Sequence, residues 1–108
     1  MAGKWSYNDY EVVEGLKPGS KHFQYFFNIY RGAEKKCNYC IWIENDALSR
    51  FDQSEAYDAI ISSNKESWGK WVKEKIDAGD LSNKVLRFGI NGEEEINLSE
   101  MEQHLSMD

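Results

Sequence analysis

Two cysteines, two histidines and a run of three glutamates are the residues here whose types and spacing could do chemistry. Cys37-Asn38-Tyr39-Cys40 has the C-x-x-C spacing of redox motifs and of half a zinc site. Redox pairs of this kind sit at helix N-termini, where the thiolate is stabilised. Here the pair lies in a run, residues 37–44, that alternates like a strand. Three residues of extended chain span about 10 Å and send the two side chains to opposite faces. A disulfide needs Cα atoms within about 7 Å, so on this reading the pair neither bridges nor shares a metal. Both then read as structural or surface cysteines of a reducing compartment.

A Cys–His nucleophile pair fares no better. In the expected strand pairing Cys40 faces Asn28, and His22 lies six residues further along that strand, about 20 Å away. His104 falls on the last predicted element, and nothing in the sequence brings it to Cys40. There is no G-x-S-x-G setting and no glycine-rich phosphate loop. Glu93-Glu94-Glu95 lacks the Asp/Asn positions and central glycine of a calcium loop. Asn97-Leu98-Ser99 is a glycosylation sequon, which matters only in a secreted chain. No catalytic residue, metal or cofactor is therefore expected, and the chain reads as non-enzymatic.

Binding chemistry is better represented. Around the second predicted strand one face carries His22, Gln24, Phe26, Asn28 and Tyr30, set against Asn38, Cys40, Trp42 and Glu44 of the third. Large aromatics mixed with hydrogen-bonding groups are the make-up of a binding surface or subunit interface. The candidate binding residues are Phe26, Tyr30, Trp42, His22, Asn28 and Glu44, with Phe26 and Trp42 as direct cross-strand neighbours. The opposing reading is that the terminal helix or a neighbouring strand covers this face.

The elements that must position these residues follow from periodicity. A first strand is expected near Tyr10–Glu14, joined by a Pro18-Gly19 type II turn to a second at 22–30. In that second strand Phe23, Tyr25, Phe27 and Ile29 form a period-2 apolar face, and Tyr39, Ile41 and Ile43 share its parity in the third. Pairing Phe27 with Ile41, Tyr25 with Ile43 and Ile29 with Tyr39 keeps the apolar faces together and leaves a loop at 32–36. Two helices should follow. Asp52 and Glu55 would cap the first, and Ser63 and Glu66 have capping-box spacing for the second. Trp68, Trp71, Val72 and Ile76 form the second helix's apolar stripe, and Gly79 is placed to end it. A second hairpin spans 85–98. Parity favours a three-residue loop, 90–92, that pairs Leu86 with Ile96. Ser99 and Glu102 would cap a short last helix.

The order β-β-β-α-α-β-β-α implies an α+β domain spanning 1–108: an antiparallel sheet of about five strands, with two to three helices mainly on one face. Its 108 residues allow one domain and a core without staples. No apolar run approaches the roughly 20 residues of a membrane span, and the start has no signal-type apolar stretch, so a cytoplasmic chain without membrane contact is expected.

The net charge is −6, and its distribution is uneven. Residues 1–44 carry a net of +1, residues 45–90 a net of −1, and residues 91–108 six acids and no base. This argues against nucleic acid as a partner, which needs a basic footprint. A winged-helix reading of residues 54–98 would place three glutamates at the wing tip, against phosphate. The expected function is a small cytoplasmic interaction or regulatory module. It would act through the aromatic face on a second copy or on another protein, in one version as an acidic, immunity-type inhibitor of a basic partner. The alternative is a small-molecule binder or minor enzyme with a pocket between sheet and helices, using His22, Tyr30, Glu44 or His104.

Overall fold

The computed structural model describes residues 3–16, 23–54, 56–89 and 91–100. Six strands form one sheet in chain order: β1 Gly3–Tyr7, β2 Tyr10–Leu16, β3 Phe23–Arg31, β4 Glu34–Ile43, β5 Lys84–Gly89 and β6 Gly92–Asn97. After β4 come a 3-10 turn, Asn45–Ala47, a single-turn helix α1, Leu48–Phe51, and a 21-residue helix α2, Tyr57–Asp77. The α+β class is as expected, but the sheet is mixed, because β4 and β5 run parallel.

That parallel step follows from the number of helices. The two expected helices are one. Asp52 does not cap a helix beside it but accepts from the Ser54 N–H at 2.9 Å, and also from the Ser54 hydroxyl. Glu55 lies outside the described residues. No Gly or Pro interrupts residues 57–68, and Asn64 spends its side chain inside the helix, donating Nδ2–H to the Ile60 carbonyl at 2.9 Å. A single helix of about 30 Å crosses the sheet once, so the chain re-enters beside β4 in the same direction. Two antiparallel helices would have returned it for an antiparallel strand. Gly79 ends α2 as expected: at φ 74° its N–H donates to Ile76, while that of Asp80 donates to Lys75. These are the paired bonds of a Schellman cap.

Three turns correct the expected registers. The first strand of the sheet is β1, which the sequence reading missed. Asn8 and Asp9, at φ 49° and 68°, make the two left-handed positions of a type I′ turn into β2. Between β3 and β4 the turn is two residues, Gly32-Ala33, instead of five. Such a turn alone would pair odd with even residues. A bulge between Ile29 and Tyr30 absorbs the mismatch, so Phe23, Tyr25, Phe27 and Ile29 face Ile43, Ile41, Tyr39 and Cys37. Parity is kept, but the register sits two residues from the expected one. Cys40 therefore faces Phe26 instead of Asn28, and Trp42 faces Gln24 instead of Phe26.

At the second hairpin Gly89 pairs with Gly92, which puts Leu86 opposite Glu95 and Val85 opposite Ile96. Parity calls for a three-residue loop only where the hairpin has a single apolar face. β5 is apolar on both faces: Leu86 and Phe88 join the helix-side core, while Val85 joins, with Ile96 of β6, a cluster on the other side.

The helix-side core packs Ile60, Ile61, Trp68, Val72 and Ile76 of α2 on Val12, Phe23, Tyr25, Phe27, Ile29, Tyr39, Ile41 and Ile43. Phe23 meets Tyr57 edge-on at 5.1 Å and lies 5.7 Å from Trp68. Cys37 belongs to this core and Cys40 to the opposite cluster, so the two cysteines do point to opposite faces. The Pro18-Gly19 turn, and the last helix beyond the helical residues 98–100, fall outside the described residues.

Candidate functional site

Opposite α2 the sheet presents its second face. β2 contributes Val13 and Gly15, β3 Phe26, Asn28 and Tyr30, and β4 Asn38. Asn28 stands between Val13 and Asn38, and Phe26 between Gly15 and Cys40. Gly15 has no side chain to fill the space beside Phe26, and a groove of about 450 Å³ runs along Val13, Gly15, Phe26, Asn28, Lys35 and Asn38. All of these lie on adjacent strands, so among the described residues the groove has a floor but no opposing wall. Asn38 is anchored through its backbone N–H to Asn83 Oδ1 at 2.8 Å. Its own Oδ1 is buried with no hydrogen-bond partner among the described residues.

Of the six candidate binding residues, the structure describes five and brings three of them together. Phe26, Asn28 and Tyr30 are half-buried along this face. Trp42 is only 2% exposed and belongs to a small second core with Cys40 and Val85, against which Phe26, Ile96 and Leu98 pack. The Arg87 guanidinium lies 5.5 Å from the Trp42 ring centre. Trp42 thus underlies the face rather than standing on it. His22, and with it His104, lies outside the described residues.

Glu44 sits at the far end of the sheet with chemistry that the sequence reading missed. Arg87 donates Nε–H to Glu44 at 2.9 Å, donates a second N–H to the same oxygen, and reaches Glu94 through Nη1 at 3.0 Å. Hydrogen bonding to Glu44 first, then its charge and Glu94, hold the Arg87 proton more tightly than usual. A cleft of about 250 Å³ opens beside this group, lined also by Gly89, Asn91, Gly92 and Glu93. A second, of about 420 Å³, lies between α1 and the β5–β6 hairpin, where Phe51 meets Phe88 edge-on at 4.9 Å and Arg50 donates to the Gly89 carbonyl at 2.7 Å. One signal was available: an arginine in the apolar run Val85-Leu86-Arg87-Phe88 needs carboxylates close by.

The acidic end is partly neutralised from within. Lys75 lies 2.6 Å from Glu95, Lys84 lies 3.5 Å from it, and Trp71 Nε1 donates to it at 3.0 Å. Burial pushes the Glu95 carboxyl up, but Lys75, Trp71 and Lys84 together hold it below its ordinary range. Burial keeps the Cys37 thiol protonated above the usual range, the wrong direction for a nucleophile. The open face offers amides, a phenol, an ammonium and aromatic edges, which serve recognition more readily than bond breaking. Among the described residues no helix is long and apolar enough to cross a membrane, and no group of three His, Cys, Asp or Glu could hold a metal ion. No protein-family model, curated protein or solved structure matches the chain.

Proposed function

We propose that the protein is a small non-enzymatic binding module that takes a surface of another protein on the open face of its sheet. One observation carries this reading. α2 packs on one face, while the groove along Val13, Gly15, Phe26, Asn28 and Asn38 has no described element over it. Side-chain amides flanked by aromatic and aliphatic edges suit the backbone and side chains of a protein surface. A groove with no wall among the described residues suits an extended contact better than a small molecule, which needs most of its surface enclosed. Glu93 and Glu100, both exposed, supply acidic charge at the same end of the chain. This favours a basic partner, as in the inhibitor version of the reading. Cys37 and Cys40 point to opposite faces and cannot bridge to each other, which fits a reducing compartment such as the cytoplasm.

A photo-cross-linking residue placed at Asn28 tests the reading in extract of the source cell, with Lys70 on the outer face of α2 as the control position. The expected result is a discrete protein adduct from position 28, competed by unlabelled wild type and not by Asn28→Arg. Equal adducts from position 70, or none from 28, overturn it.

The small-molecule alternative is favoured by the cleft between α1 and β5, lined by Phe51, Phe88, Arg50 and Glu93. A metabolite that raises the melting temperature of wild type but not of Glu93→Ala would support it.

A further inference from the structure

The two edges of this sheet differ in what they invite. β6 carries Glu93, Glu94 and Glu95 in succession. Any antiparallel register of a second β6 centred on them sets carboxylate against carboxylate, the usual guard on an exposed edge. β1, Gly3-Lys4-Trp5-Ser6-Tyr7, carries one charge, Lys4, and its Nζ lies 3.2 Å from Glu11 of the neighbouring strand.

β1 is also held in place from the helix side. The Tyr7 hydroxyl donates to Asp77 at 2.6 Å and Asn8 Nδ2 donates to the same carboxylate at 2.5 Å. Lys73 Nζ lies 5.3 Å from the Trp5 ring centre and 5.5 Å from that of Tyr7. The edge is therefore ordered before anything pairs with it, which lowers the entropic cost of pairing.

The turn decides which backbone groups face outward. In a two-residue hairpin the pair flanking the turn exchanges both hydrogen bonds, and bonded pairs then alternate. Here that pair is Tyr7↔Tyr10, so Trp5↔Val12 and Gly3↔Glu14 are also bonded pairs. The N–H and C=O groups of Lys4 and Ser6 consequently point away from the sheet, and no described strand lies beyond them.

We propose that this edge pairs antiparallel with the same edge of a second copy, with the two-fold axis at Trp5. Lys4 of each chain exchanges both backbone hydrogen bonds with Ser6 of the other. On the helix side Trp5 meets Trp5, and Tyr7 meets Gly3, which has no side chain to block the ring. On the open side Lys4 meets Ser6, so no like charges stand directly opposite. The pairing leaves the groove of the open face unused and stands independently of the function proposed above.

Sedimentation velocity on the full chain, from low micromolar to near-millimolar concentration, tests the pairing together with amide exchange at both extremes. The expected result is a monomer–dimer equilibrium in which the Lys4 and Ser6 amides slow at least ~10-fold at high concentration, while those of Trp5 and Tyr7 are protected throughout. Ser6→Pro removes only an outward N–H and no β1–β2 bond, and should weaken the dimer at least ~10-fold. If that variant fails to fold, the exchange measurement on wild type decides. Three results overturn the proposal: a strict monomer at the highest concentration, a dimer with unprotected Lys4 and Ser6 amides, or a folded Ser6→Pro that still dimerises as wild type does.

Discussion

Glu14 stands on the helix side of β2, and its side chain is 1% exposed. Trp5 Nε1 donates to one carboxylate oxygen at 2.9 Å, and Lys65 of α2 reaches the other at 2.6 Å. The carboxylate occupies the space beside Gly3, where a Cβ would come within 2.9 Å of it. Lys65→Met keeps the stem and the helix propensity but removes the cation. Stripping a fully buried charge of its partner costs about 3–5 kcal/mol. Lys65 is 51% exposed, so water screens the pair, and Trp5 still serves the carboxylate after the change. The expected loss is therefore about 1.5–3 kcal/mol. Glu14→Gln keeps the shape and an acceptor for Trp5, and should cost about 1–2 kcal/mol. The double variant has neither charge to strand, so the two losses should fall short of additivity by about 1–2 kcal/mol. Urea denaturation at neutral pH, followed by circular dichroism, measures all four proteins, with m expected to stay constant. A Lys65→Met protein within about 0.5 kcal/mol of wild type, or strictly additive losses, would refute the reasoning, because the pair would then behave as an ordinary surface contact.

Three further outcomes follow from the same structure. Gly69 is inside α2, where a Cβ would meet nothing within 4 Å. Gly69→Ala should therefore gain about 0.5–1 kcal/mol and raise the melting temperature by roughly 2–8 °C in differential scanning calorimetry, and an unchanged or lower value would count against it. Trp42→Ala should cost about 3–5 kcal/mol in urea, since the ring is core, whereas a loss under about 1 kcal/mol would return Trp42 to the surface. The Glu95 carboxyl is held below its ordinary 4.5 in the folded chain, so its stabilisation is present above that value and is lost as pH falls through the lower folded value. Urea curves for wild type and Glu95→Gln should differ most near neutrality and converge as pH falls through the lowered folded value, and a gap independent of pH would contradict the assignment.

Much of the local structure was legible because its causes are local. The shared parity of Phe23–Ile29 and Tyr39–Ile43 follows from the strand's period of two, and it survived a two-residue shift in register because a bulge restored it. The stripe of Trp68, Val72 and Ile76, the Gly79 stop and the opposed directions of Cys37 and Cys40 rest on spacings of a few residues. The β1–β2 turn was equally local. Asn8-Asp9 between Trp5-Ser6-Tyr7 and Tyr10-Glu11-Val12 is a type I′ signal that sets β1 against β2.

The candidate site was less legible, because its parts come from strands that are distant in sequence. Arg87 meets Glu44 and lies over Trp42 only because β5 docks parallel to β4, and that docking depends on α2 being one helix rather than two. Spacing motifs at Ser63 and Glu66 cannot report whether the helix breaks there. The choice is made by the continuous packing of Ile60, Ile61, Trp68 and Val72 on the sheet. By itself, then, the sequence determined the α+β class, the apolar faces of the central hairpin and the charge-rich end. Only the tertiary structure decided that β5 packs apolar side chains on both faces, that Trp42 lies beneath the open face and that Glu94 and Glu95 are held in internal pairs. Periodicity is set within one element by backbone geometry, whereas burial and pairing are set by which elements arrive beside it.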